Sequence, residues 1–148
     1  MQTDVSEVTI AAIGVDRFSG NQSVFLTAPR SRQGVSVSLT AGQATALVVS
    51  LEDGDAPEQS PYASLASLLR DNNFIPHRVL VTPVSTGSTL FYHDGVESRR
   101  LEMSAGEGTV LAAYLDLPLL VPADVLDDLD PTLVSRRSRM DVLYFSTI

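Results

Sequence analysis

Thr40–Glu52, T-A-G-Q-A-T-A-L-V-V-S-L-E, and Ser104–Asp116, S-A-G-E-G-T-V-L-A-A-Y-L-D, align without a gap at an offset of 64 residues. Each aligned pair is identical or close in size or polarity, except Ser50 against Tyr114. Both stretches predict a helix with the same start. Thr40 and Ser104 are N-cap residue types, and Gln43 and Glu107 stand three positions later, which is the capping-box spacing. Ala44, Leu47, Val48 and Leu51 then follow the i, i+3, i+4, i+7 pattern of a buried face, as do Gly108, Leu111, Ala112 and Leu115. The small Ala44 and Gly108 allow each helix to lie close to whatever it packs on.

Outward from these helices the halves continue to correspond. Three strand-like runs precede the first helix: Val8–Val15, Ser23–Thr27 and Val35–Leu39. Three more precede the second: Val79–Val84, Thr89–Tyr92 and Arg99–Met103. Turn-rich links, Phe18-Ser19-Gly20-Asn21 and Ser85-Thr86-Gly87-Ser88, join the first two runs of each half. Asp94-Gly95 adds a hairpin signal, and Val35–Leu39 alternates apolar with polar residues, as a strand with one face on the core does. The expectation is an α+β fold: a mixed sheet with packed helices, built from two strand-strand-strand-helix halves. An extra helix is expected near Ser60–Arg70, capped by Ser60, with Pro61 in its first turn and Tyr62, Leu65, Ala66 and Leu69 facing inward. A short strand Leu117–Val121, an acidic segment Asp124–Asp130 and a last strand Val142–Phe145 complete the chain. No boundary divides residues 1–148, so one domain is expected.

Composition narrows the chemistry. The chain has no cysteine and no lysine. That excludes disulfides, thiolate nucleophiles, Schiff-base lysines and P-loop lysines. No G-x-S-x-G, G-x-G-x-x-G or P-loop motif occurs. No run is long and apolar enough for a membrane span, and MQTDVSEV lacks the features of a secretory signal, so a cytoplasmic protein without membrane association is expected. A net charge of -8 disfavours nucleic-acid binding, unless arginines such as Arg30, Arg32, Arg99, Arg100, Arg136, Arg137 and Arg139 gather into a local patch.

Four stretches give the chain a resemblance to the bacterial bifunctional nuclease domain family, over roughly Val8–Leu126. Val35–Glu52 resembles the family's L-P-I-W-I-G-x-x-E-A-x-A-I-A-L-A-L-E passage, and Pro61–Leu69 its T-H-D-L-L-x-S-L-L helix. Gly87–Tyr92 resembles its G-T-F-Y-A strand, and Ser104–Val121 its R-P-S-D-A-I-A-L-A passage running into P-I-F-V. The resemblance implies a compact α+β domain, commonly a homodimer, with RNase and DNase activity in some members. In an active member it implies Mg²⁺ or Mn²⁺. The polar positions depart from the pattern. The family's Glu falls at Gln43, its His-Asp pair at Tyr62 and Ala63, and its Arg-Pro-Ser-Asp at Ser104-Ala105-Gly106-Glu107.

Two functions are therefore expected in opposition. In a metal-assisted nuclease, Glu107 is the candidate catalytic acid, holding the ion or orienting water, and Gln43 is its pseudo-symmetric mate. In a non-catalytic dimeric interaction or regulatory module, both residues simply close capping boxes. His77 and His93 lie in no catalytic spacing. Glu52-Asp53-Gly54-Asp55 and Asp124-Asp127-Asp128-Asp130 do not match a calcium-loop pattern and read as solvated surface.

Overall fold

The computed structural model describes residues 4–16, 18–29, 31–53, 61–128 and 142–145, with backbone alone at 52, 53 and 142–145. Both expected units are present. The first runs β1 (Val5–Asp16), β2 (Gln22–Thr27), β3 (Gln33–Leu39) and α1 (Ala41–Asp53); α2 (Pro61–Asp71) follows. The second runs β4 (Ile75–Thr82), β5 (Gly87–His93), β6 (Ser98–Ser104) and α3 (Ala105–Leu115). Then come β7 (Leu119–Pro122), the two-residue β8 (Asp127–Asp128) and β9 (Val142–Phe145).

The strands form one mixed sheet in the order β6-β5-β4-β7-β1-β2-β3-β8. Each unit is an antiparallel meander, and β7 joins the two, parallel to β4 and antiparallel to β1. β1 pairs with β2 and with two further strands. Val5–Val8 pair with β7, and Ile13–Asp16 pair in parallel with β9. A bulge between Ile10 and Ala12 lies in its ladder with β2.

One core crosses both halves. Leu26, Leu47, Leu90, Leu111, Val24, Val79, Val81 and Val121 are essentially without solvent exposure. In β3, Val37 and Leu39 point inward while Ser36 and Ser38 are exposed, as the alternation predicts. On α1, Ala44 and Leu47 are buried, with Val48 and Leu51 packed beside them. The expected inner face of α2 also holds: Ala66 and Leu69 are buried, and Tyr62 and Leu65 pack against the core. Its expected cap, Ser60, lies outside the described residues.

The units are not equivalent in depth. α3 is buried along nearly its whole circumference, from Ala105 and Gly106 through Gly108–Ala112, because it contacts α1, α2 and the sheet. Gly108 makes this possible. A Cβ there would overlap Oγ of Ser88 and sit 2.6 Å from its Cβ.

β1 starts three residues earlier than expected, and two strands are shifted along the chain. β4 runs Ile75–Thr82 rather than Val79–Val84, so His77 lies within a strand. A bulge between Pro76 and Arg78 carries the strand past a residue with no N–H to donate. The strand stops because Pro83 opens a 3-10 turn, Pro83–Ser85. β7 begins at Leu119 rather than Leu117. Leu117 instead donates its N–H to the Ala112 carbonyl and Asp116 turns left-handed, so both close the end of α3.

A groove between the helix starts

The starts of α1 and α3 adjoin. Gln43 lies against the backbone of Gly106, where a Cβ would overlap its amide oxygen. Beside them opens a groove of about 1040 Å³. The first two turns of α1 (Ala41, Gly42, Gln43, Thr45, Ala46) and Val49 form one wall. Pro61, Tyr62 and Leu65 of α2 form another, and Leu101, Glu102 and Met103 come from β6. Glu107 and Leu111 of α3 complete the lining.

Gln43 and Glu107, paired by the repeat, thus reach the same groove, and so does Tyr62. Ala63 does not line it. The two capping boxes differ. In α1 the box is closed both ways: Gln43 N–H donates to Thr40 Oγ1 at 3.1 Å, and Thr40 N–H donates to Gln43 Oε1 at 3.0 Å. In α3, Glu107 N–H donates to Ser104 Oγ at 3.1 Å, but the Glu107 carboxylate makes no return bond. It is solvent-exposed on the groove instead. The Tyr62 phenol has its pKa pushed up, first by burial and then by the Glu107 charge.

The start of α3 is held by its strands. Ala105 N–H donates to the Thr86 carbonyl at 2.9 Å, and the buried Ser88 hydroxyl donates to the Ser104 carbonyl at 2.7 Å. In the sequence Ser88 is one more serine in a turn-rich link. The groove's β6 wall was legible in principle. Leu101 and Met103 alternate with Arg100 and Glu102, the period-two signature of a strand with one apolar face.

The other candidates lie elsewhere. His77 is exposed at the β4 bulge, and Nδ1 of His93 accepts from Gly95 N–H at 3.0 Å, which closes the β5–β6 turn. Arg99 pairs with Asp94 and, at 3.1 Å, with Glu97. The Arg99 guanidinium, followed by the N–H groups of Glu97 and Val96, holds the Asp94 carboxyl well below the usual range. Arg32 and Arg100 sit toward opposite ends of the sheet order. Arg30, Arg136, Arg137 and Arg139 lie outside the described residues, as do Gly54, Asp55 and Asp130. Asp124, Asp127 and Asp128 are exposed. Among the described residues no three His, Asp or Glu side chains are grouped so as to hold a metal ion, and no helix is long and apolar enough to cross a membrane. No protein-family model matches the chain, and no curated protein matches it significantly.

Proposed function

We propose that the chain is a non-catalytic, dimeric interaction module of the cytosol, whose groove holds an apolar protein segment bearing a basic residue. The lining of the groove carries the reading. It is mostly apolar, the Glu107 carboxylate is exposed on it, and no arginine among the described residues lines it. A nucleic-acid backbone is repelled there, whereas an apolar segment with an Arg or Lys gains both burial and charge pairing. The groove is open rather than enclosed, which suits a segment of chain better than a small molecule.

The test is fluorescence anisotropy with labelled peptides of equal length, one alternating Leu with Arg and one alternating Leu with Glu. The Leu/Arg peptide is expected to bind. Glu107→Gln should weaken it about tenfold, a change of ~1.4 kcal/mol. Ala46→Trp, which fills the groove, should abolish binding. Equal binding of both peptides, or binding that ignores Ala46→Trp, refutes the reading.

One observation favours the nuclease alternative: the Glu107 carboxylate is not spent on its own helix cap and stands near Tyr62. The resemblance would then call for Mg²⁺ or Mn²⁺. The residues present fit an ion poorly. The oxygen of Gln43 is committed to Thr40 N–H, and the raised pKa of Tyr62 keeps its phenol protonated. RNA and DNA, single- and double-stranded, should be incubated with Mg²⁺, Mn²⁺ or EDTA. Metal-dependent hydrolysis lost in Glu107→Ala would establish the nuclease and displace the module.

A further inference from the structure

We propose that a second copy of this chain docks edge to edge on β6, pairing antiparallel about a twofold axis at Leu101. This rests on the dimeric reading above and names the surface that would serve it. The two ends of the sheet differ. One ends in the two-residue acidic β8. The other ends in β6, seven residues long, exposed along almost its whole length and free of proline and glycine. Such an edge is a template for another strand unless something blunts it.

The backbone of β6 fixes which residues are available. Asp94 N–H donates to the Glu97 carbonyl and Ala105 N–H to the Thr86 carbonyl, in continuity with the β5–β6 register. Hydrogen-bonded pairs alternate along an antiparallel ladder, so Arg99, Leu101 and Met103 turn their backbone groups toward β5. Ser98, Arg100 and Glu102 turn theirs outward, while the Ser104 carbonyl is taken by the Ser88 hydroxyl. A twofold at Leu101 sets Arg100 opposite Glu102 of the second copy, with both backbones correctly aimed. Shifting the axis to Arg100 places arginine against arginine, and shifting it to Glu102 places glutamate against glutamate. Like charges directly opposite destabilise a ladder, so the sequence selects the Leu101 register.

The two faces agree with this. Arg100 pairs with Phe91, which lies beneath the Arg78 guanidinium at 4.5 Å, so a glutamate from the second copy meets a basic surface. On the other face, Leu101 lies over the buried Leu90 and is 38% exposed; it would meet its own copy. Leu101 and Met103 also wall the groove, which would then continue onto the second subunit.

Sedimentation equilibrium at low and at moderate salt tests this on the full chain, with far-UV circular dichroism to confirm folding. The wild type is expected to be a dimer. Arg100→Glu or Glu102→Arg alone should raise the dimer Kd about tenfold or more, since both symmetric pairs become repulsive. The double exchange Arg100→Glu with Glu102→Arg should restore it. A wild-type dimer indifferent to either single exchange overturns the β6 interface and leaves the dimeric reading standing. A wild-type monomer overturns both.

Discussion

The repeat sets Gly108 against Ala44, so by sequence alone an alanine at 108 should be harmless. The structure requires the opposite. A Cβ on Gly108 would overlap Ser88 Oγ, lie 2.6 Å from Ser88 Cβ and 3.2 Å from Val79 Cγ1. Ser88 is buried and its hydroxyl is bound to the Ser104 carbonyl, so it cannot simply rotate away. Overpacking of this kind costs about 1–3 kcal/mol, and breaking the buried hydroxyl bond about 1–3 more. Replacing Gly by Ala inside a helix returns about 0.5–1 kcal/mol. The expected net loss for Gly108→Ala is therefore about 1–5 kcal/mol; a loss of ~2 kcal/mol is a fall in Tm of about 4–8 °C for a chain of this size. Urea denaturation followed by far-UV circular dichroism measures it. Ser88→Gly removes both colliding atoms and should recover much of the loss in the Gly108→Ala background, with a coupling energy of at least ~1 kcal/mol. Ser88→Ala keeps the Cβ and should recover less. Wild-type stability in Gly108→Ala, or strict additivity with Ser88→Gly, refutes the packing argument.

Gly42 and Gly106 are also paired by the repeat, but Gly42 faces open space while a Cβ on Gly106 meets Gln43 and comes within 3.2 Å of the Ser38 carbonyl. In the same denaturation assay Gly42→Ala should be neutral or stabilising by up to about 1 kcal/mol, and Gly106→Ala destabilising by about 1 kcal/mol. Gln43→Ala should cost about 0.5–1 kcal/mol because it opens a closed capping box, whereas Glu107→Ala should change stability by less than about 0.5 kcal/mol. Glu107→Gln should lower the Tyr62 pKa part of the way toward its ordinary value, since burial, the larger cause, remains; ring-carbon NMR titration of Tyr62 reads this, and an unmoved value would separate the two side chains. Asp94→Asn should be less stable than wild type at pH 7. Because the folded-state pKa of Asp94 is depressed, its contribution is present above the ordinary carboxylate value and is lost as pH falls, so the urea midpoints should converge below about pH 4.

The periodic parts of the fold were legible because they answer to local rules. Alternation marked β3, and the i, i+3, i+4, i+7 spacing marked the inner faces of α1 and α2. The edges of β4 and β7 were not, because they depend on what the backbone does next: a bulge at Pro76, a 3-10 turn at Pro83, a left-handed close at Asp116. The repeat also concealed an asymmetry. Identical patterns made α1 and α3 look equivalent, yet α3 is enclosed by two helices and a sheet while α1 is open along the groove. Burial of that kind comes from chain crossings many residues away, and no window of sequence contains it. For the site, the repeat signalled that Gln43 and Glu107 belong together, but not that Tyr62, Leu101 and Met103 join them.

The same asymmetry explains why two matching capping boxes ended differently. α1 starts just beyond the last paired residue of β3, Leu39, and no strand beyond it holds Thr40. Its first turn depends on its own side chains, so Gln43 folds back onto Thr40. α3 starts from a strand still laddered to β5 at Ser104, and the Thr86 carbonyl and Ser88 hydroxyl fasten its first residues from outside. Its helix start is secured without a return bond from position 107. The carboxylate of Glu107 is thereby left out of the cap and faces the groove, where its charge helps raise the Tyr62 pKa and gives an apolar surface its charge. In one half the box is closed both ways. In the other the Ser104 bond to Glu107 N–H remains and the acid faces the groove, where we propose that the segment binds.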